Sequence, residues 1–559
     1  MFQPRLSYAL LIAIAGLMCI SAGCSSLWGK KDEDESDAAL RELMKSPPPP
    51  DLVREAAVSQ GLYMIQTDGV GAVEQLAGTG GPADPSFYRD ELIAEMQRHD
   101  IPDPNNFLES KSNALVRVRA LIPPGARRGD PIDLKVLAPK ESQVSDLGGG
   151  WLLDTRLRRQ IQTSRRVSKG SVHSGVVLAI GAGPVVTRAS HQPGDDIANR
   201  IEGNVISGGR VQESRKLGLV LRPGYQHVKI SSALAEAVSK RFYFFDGSTR
   251  RGVATAKEDD LIDVELHPRY RDNVYRYMEV VRAIGVEPES TKTQARLIQL
   301  ADMLAQPSTS ADAALQLEAM GEGAVPTLIE GVKSTNPEVR FYAAEALAYL
   351  DRDEAISPLE HAIRSEAAFR LPALIALQGL KSYESLEALK RLLHEPSLET
   401  RYGAFVSIRR RRDGKPQLGG QSLGSFWLYR VPSSGPPAVV ISLRESPEVV
   451  VFGDVPTLQL EKFLRGPAGI LVQADETEGI KISRFEIGKD DQRVRVSNKV
   501  ADTIVGLSQV GAGYGEVIEI LRMAKDTDAL KAQLAVDPLP RSQRKYYRDL
   551  TDATQDDDE

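Results

Sequence analysis

The feature that most restricts the fold of this chain is an internal repeat between residues 310 and 412. Three segments share one frame: Arg340-Phe-Tyr-Ala-Ala-Glu-Ala-Leu347, Arg370-Leu-Pro-Ala-Leu-Ile-Ala-Leu377 and Arg401-Tyr-Gly-Ala-Phe-Val-Ser-Ile408, with their arginines 30 and 31 residues apart. An earlier copy, Ala313-Ala-Leu-Gln-Leu-Glu-Ala-Met320, fits the same frame upstream. Second helical patterns lie between the copies, at 325–332, 356–363 and 386–393. A helix pair of this size cannot bury its apolar face alone, so neighbouring pairs must stack into a solenoid. The repeated arginines could form a ligand-binding row. Their identical placement in every unit fits better a tie from each repeat turn to a carboxylate or carbonyl of the next unit. Pro372 suits the first turn of its helix rather than the interior.

The remaining sequence has a different texture. Strand patterns such as Leu115–Ile122 and Pro131–Val136 alternate apolar with polar residues, and helical patterns are fewer, at 88–99, 231–242, 270–284 and 514–524. That mixture is α+β, and 559 residues suggest three or four domains at roughly 150 each. With 42% hydrophobic and 26% charged residues the chain is globular in composition. Its two cysteines, Cys19 and Cys24, exclude a disulfide framework, a Cys-rich zinc site or a thiol nucleophile beyond residue 24. Seven scattered histidines form no HExxH pair. Gly420-Gln-Ser-Leu-Gly424 matches GxSxG but follows linker-like sequence, and the last histidine, His394, precedes it, so it reads as a connection and no catalytic role is expected. No cofactor motif occurs. A formal charge of −6 disfavours a nucleic-acid partner. Acidic runs at 32–37 and 552–559 read as solvated tails. Arg409–Arg412 are expected to complement helix carbonyls at the end of the repeats.

The amino terminus reads as an export signal. An apolar run over 9–20 is too short to span a bilayer and fits a signal h-region. Ser21-Ala-Gly-Cys24 resembles a bacterial lipobox with Cys24 as the acylated residue, although Ser21 stands where the motif usually has Leu; a plain signal peptide cut nearby is the alternative. The resemblance implies a periplasmic protein held to the membrane, the outer membrane given Ser25 and Ser26, through a lipid anchor at Cys24.

Two resemblances follow. The repeat block resembles the short HEAT repeats of bacterial proteins. The flanks resemble the bacterial flagellar P-ring family: Gly69-Val-Gly71 with Leu76-Ala-Gly-Thr-Gly80, then Ala120-Leu-Ile-Pro-Pro-Gly-Ala-Arg-Arg-Gly-Asp-Pro-Ile-Asp-Leu134, Asp146–Leu157, Gly208–Glu213 and Leu217–Arg222, with further similarity over 436–537. The expected organisation is a signal peptide (1–23), an acidic, Pro-rich tether (24–50), a P-ring-like α+β region (51–290), HEAT-like repeats (291–412), a Gly/Pro linker (413–435), a P-ring-like C-terminal region (436–540) and an acidic tail (541–559). The fold class is α+β multidomain with an inserted α-solenoid of HEAT-like helix pairs. As an insertion, 310–412 should be removable without preventing the flanks from folding together. The family resemblance implies a structural, non-enzymatic subunit of a homo-oligomeric periplasmic ring of the flagellar basal body. Its partners would be the rod and outer-membrane ring proteins, peptidoglycan as a further neighbour, and an unidentified protein on the HEAT repeats. Arg117, Arg119, Arg127 and Arg128 are the candidate subunit contact, with solvated arginines as the alternative. A non-flagellar envelope lipoprotein acting as a HEAT scaffold is the second functional reading.

Overall fold

The computed structural model describes residues 47–548, apart from 100, 141, 160–174, 193–196, 287–289, 454–455, 476–478, 487 and 543. The signal and lipobox, Cys24 and the final acidic run therefore lie outside the described residues.

The amino-terminal strands close on themselves. Pro131–Leu137, Ala114–Ile122, Ile65–Glu74, Trp151–Arg158, Val177–Pro184 and Glu202–Val211 pair antiparallel in that order, and Glu202–Val211 pairs back onto Pro131–Leu137. The result is a six-stranded barrel. Along Ala114–Ile122 the inward residues Val116, Val118, Ala120 and Ile122 are buried with Leu134, Leu152 and Val205, while Arg117 and Arg119 face out. Gly71 is dictated by crowding, because a Cβ there would stand 2.1 Å from Thr155 Oγ1 on the adjacent strand. Helix α1 (Phe87–Arg98) covers one outer patch of the barrel through Leu92 and Met96.

Beside the barrel, Ala57–Gln60, Leu217–Leu221, Leu261–Val264 and Ala254–Ala256 form a four-stranded antiparallel sheet. Helices α2 (Val228–Arg241) and α3 (Val274–Arg282) pack on it through Leu234, Val238, Tyr277 and Val281. This core runs without a break into the solenoid of α4 (Ser290–Ala305), α5 (Pro307–Met320), α6 (Val325–Gly331), α7 (Pro337–Tyr349), α8 (Ile356–Ser365), α9 (Arg370–Gly379), α10 (Tyr383–Leu392) and α11 (Leu398–Arg410). The repeats begin with strong start signals. Asn336 accepts from the Glu338 and Val339 amides, and Ser382 and Ser397 cap α10 and α11. Pro372 occupies the first turn of α9.

The solenoid ends on a mixed five-stranded sheet, ordered Gln421–Ser422, Trp427–Val431, Glu448–Phe452, Ala438–Ser442, Gln533–Val536. Both its faces are buried, and alternate residues divide between two cores. Tyr429, Val431, Val440, Val450 and Phe452 join the solenoid core. Leu428, Val439, Ile441, Val449 and Val451 join α12 (Val500–Gln509), α13 (Tyr514–Asp526) and an outer sheet of Leu464–Arg465, Ile470–Ala474, Gly479–Arg484 and Gln492–Ser497.

Three expectations need correction. Residues 413–435 are not a plain linker. Trp427–Val431 is an interior strand, paired in parallel with Glu448–Phe452, and Ser422 of the GxSxG sequence pairs with Trp427. The repeat block is no detachable insertion, because its core continues onto one face of the central sheet through Tyr429, Val431, Val440, Val450 and Phe452. The carboxyl-terminal segment is not wholly a solvated tail. Residues 544–548 lie on the solenoid, with Arg544 on Glu399, Tyr546 on Phe369 and Arg548 on Glu338.

Candidate assembly surfaces and domain junctions

The four arginines proposed as a contact occupy two sites. Arg117 and Arg119 project from the barrel wall because they alternate with buried valines. The Arg117 guanidinium lies over the Tyr88 ring of α1, 5.1 Å from its centroid, and Arg119 Nε donates to Asp68 Oδ1 at 2.9 Å. Arg127 and Arg128 sit on the exposed turn that follows the strand. Arg127 Nη2 donates to the Leu266 carbonyl at 3.2 Å, and the Arg128 amide donates to Ser214 Oγ at 2.9 Å. All four remain solvent-facing in part, yet three of the side chains already have an intramolecular partner. Arg156 and Arg158 extend the basic face and gather round Glu95. Partial burial opposes ionisation of Glu95, but the Arg156 hydrogen bond and the surrounding guanidinium charges outweigh it and hold the carboxyl below its ordinary value.

A second locus joins barrel, solenoid and central sheet. The Asp133 carboxylate accepts from the Ser207 amide at 2.7 Å and from the Glu445 amide at 3.1 Å. Asp537 accepts from the Leu443 amide at 3.2 Å. Arg409 of α11 approaches Glu448 at 3.3 Å and Glu445 at 3.5 Å, and Arg410 pairs with Glu445. Burial pushes the Glu448 carboxyl up to about 7 and Asp537 up to about 6. A cleft of 1520 Å³ opens here, lined by Asp133, Arg410, Lys415, Trp427, Glu445 and Asp537 among others. Its mixed charges select no ligand of one sign. The Arg409–Arg412 run is largely absorbed: Arg411 Nη1 donates to the carbonyls of Leu377, in the last turn of α9, and Leu380, just past it, as expected of a capping cation.

The third locus fastens the solenoid to α3. Arg276 places Nη2 2.6 Å from Glu318 of α5 and Nη1 2.6 Å from Glu345 of α7. Tyr270 donates to the other Glu318 oxygen at 2.6 Å, and the Arg276 guanidinium lies 4.8 Å over the Tyr349 ring. Glu318 is fully buried and Glu345 is 5% exposed. Burial raises the Glu345 carboxyl despite the opposing charge of Arg276. Sequence reasoning missed this cluster. The available signal was that Glu318 and Glu345 occupy the same position of the repeat frame, amid apolar neighbours, where later copies have Ile375 and Val406.

The frame arginines serve structural ties. Arg370 donates to the Ile363 carbonyl and to Glu399 in the next unit. Arg340 reaches backward instead, to the Ser334 carbonyl at 2.9 Å. Arg401, wholly buried, donates to the Pro436 carbonyl at 2.8 Å and lies over Phe452, fixing the last repeat to the central sheet. Among the described residues no group of acidic, His or Cys side chains could hold a metal ion, and no helix is long and apolar enough to cross a membrane.

Comparison with known proteins places these elements. A family model described as the flagellar P-ring protein matches residues 53–298, and one for HEAT repeats matches 293–371. The chain is similar to the flagellar P-ring protein of Thermotoga maritima, 26% identical over 246 residues, covering 42% of this chain and 67% of the relative. It is 25% identical over 248 residues to that of Geobacter metallireducens, covering 43% and 62% respectively, and 25% identical over 241 residues to that of Campylobacter jejuni subsp. jejuni, covering 43% and 67%. A solved complex of CpcE and CpcF of phycocyanin lyase from Nostoc sp. PCC7120 overlaps 21% of this chain and 77% of its own at 24% identity, with a TM-score of 0.18, too slight a likeness to support any argument. The barrel, the four-stranded sheet and the helices packed on it fall within the first match, and α5 to α8 fall within the second. Residues 53–298 are thus similar to the flagellar P-ring family, and a match to HEAT repeats continues directly from that region.

Proposed function

We propose that this protein is a structural subunit of a periplasmic ring around the flagellar rod, contributing to motility by shape and rigidity without turnover. The observation that carries the reading is the family match over 53–298, which takes in the barrel and its neighbouring sheet. Residues 436–540 complete the ring-forming body on this reading, and Cys24 carries the lipid that holds it at the outer membrane. The basic barrel face at Arg117 and Arg119, with the turn at Arg127 and Arg128, supplies one of the two different patches that a closed head-to-tail ring requires. The rod and the outer-membrane ring proteins are the neighbours, with peptidoglycan outside.

The test reverses all four arginines to Glu and examines detergent-extracted envelopes by electron microscopy and sedimentation. Rings should fail to close; rings that persist unchanged dismiss this patch, and wild-type protein that is monomeric in every preparation dismisses the ring. Cys24→Ala should release the protein from membranes or leave the signal uncleaved. Wild-type protein that incorporates no labelled fatty acid and fractionates as soluble refutes the anchor. The non-flagellar scaffold reading would gain from a genome that lacks rod and hook genes.

A further inference from the structure

The carboxyl-terminal segment crosses the solenoid against the order of the repeats. Beyond Val536 the chain turns at Asp537, a non-glycine residue with φ of 43°. Pro540 then passes over α11 at Gly403, where a Cβ would stand 3.3 Å from the proline ring. Arg544 makes a two-pronged pair with Glu399 at 2.8 and 3.0 Å. Tyr546 stacks on Phe369 at 4.8 Å between centroids, and Phe369 stacks in turn on Phe341 at 4.2 Å. Arg548 makes a second two-pronged pair, with Glu338 at 2.8 and 2.9 Å.

We propose that this face of the solenoid is a binding site for an extended segment of the form Arg-x-Tyr-x-Arg, and that in the assembled protein each site receives residues 544–548 of a second copy in exchange for its own. The exchange rests on the reading that copies assemble side by side.

The site is built for such a segment. The side chain of Glu338 is 6% exposed, and Arg548 is the cation paired with it among the described residues. A carboxylate so enclosed is costly without that partner. The receiving groups recur with the repeat, since Glu338, Phe369 and Glu399 lie 31 and 30 residues apart, one or two residues before the frame arginines Arg340, Arg370 and Arg401. The incoming groups recur every second residue, and alternate side chains of an extended chain share one face. Each repeat thus reads one side chain. Paired guanidinium–carboxylate forks fix the register, and the stacked ring between them excludes the one-residue slip.

Exchange between copies alters little. The same contacts form within or between chains, and only the short connection after Asp537 changes course, since Asp537 itself stays tied to the Ile441 carbonyl and the Leu443 amide. For free molecules the tethered segment wins. Copies fixed side by side raise the effective concentration of the neighbour's segment to the millimolar range, where it competes.

The test uses full-length chain with Cys19 and Cys24 replaced by alanine. One preparation carries Phe369→Cys, the other Tyr546→Cys, and a short bis-maleimide is added to the assembled mixture. A bridged pair of chains should appear on denaturing gels. It should be lost when the Tyr546→Cys chain also carries R544E and R548E, and should return when its partner carries E338R and E399R. A chain with both cysteines that bridges only within itself, while the mixture still sediments as an assembly, overturns the exchange and leaves the ring reading standing. Absence of a bridge in either arrangement overturns the site. A mixture that stays monomeric and forms no bridge between chains overturns the exchange together with the ring.

Discussion

Replacing Arg276 by methionine tests whether a buried ion cluster holds the solenoid on the P-ring-like region. The guanidinium lies 2.6 Å from both Glu318 and Glu345, and its removal leaves two buried carboxylates with the Tyr270 hydroxyl as the remaining donor to Glu318. Removing one partner of a buried pair costs about 3–5 kcal/mol, far more than the pair contributes over an apolar replacement. The loss should depend on pH. A carboxyl whose folded pKa stands above its unfolded value, as burial makes that of Glu345, favours the folded state only when protonated. Without Arg276 that elevation grows, so the deficit relative to wild type should be full near neutrality and shrink as pH falls toward the unfolded carboxyl value of about 4.3. A chain of several units need not unfold in one step, so the assay is hydrogen exchange across α5 and α7 alongside urea denaturation. The triple replacement R276M/E318L/E345L should recover most of the loss. A deficit below about 1 kcal/mol at pH 7, or one unaltered by acid, refutes the reasoning.

Two further outcomes follow from the central sheet. Glu448→Gln should flatten the pH dependence of stability, because burial lifts this carboxyl to about 7; the folded state is favoured below the unfolded value and loses on the order of 3 kcal/mol as pH rises from about 4.5 to 7. Denaturation midpoints measured across that window check it, and equal slopes for variant and wild type refute it. Replacing 310–412 by a short linker should yield aggregated or dye-binding protein, since Tyr429, Val431, Val440, Val450 and Phe452 lose their cover, with about 1.5–3 kcal/mol at stake for each. A soluble, dye-silent excised protein refutes that.

The solenoid was legible because its period is local: the frame arginines, the second helices and Pro372 lie where the pattern places them. The strands at 114–122 and 131–137 were legible from alternation, but barrel closure was not. Pairing of Leu134 with Val205 is a long-range event that no short window carries. The central strand Trp427–Val431 was hidden by the glycines and prolines around it, which punctuate true strands as readily as linkers. The docking of 544–548 escaped because Arg and Tyr at alternate positions look solvated until their partners, more than a hundred residues away, come into view. Arg117, Arg119, Arg127 and Arg128 were legible as exposed, but not the ties of Arg119 and Arg127 to Asp68 and Leu266.

Most repeat arrays have a free end and bend as a cantilever does. This one is held in its first half, by Arg276 on α5 and α7, and at its far end, by Arg401 and Arg409 on the central sheet. A beam supported at two points deflects far less under a given force. Because the Asp133–Glu445 contact joins the neighbouring barrel to the central sheet directly, the described residues form a closed frame rather than a chain of links. Force applied to the barrel has two routes to the central sheet, and failure of one leaves the other to carry it.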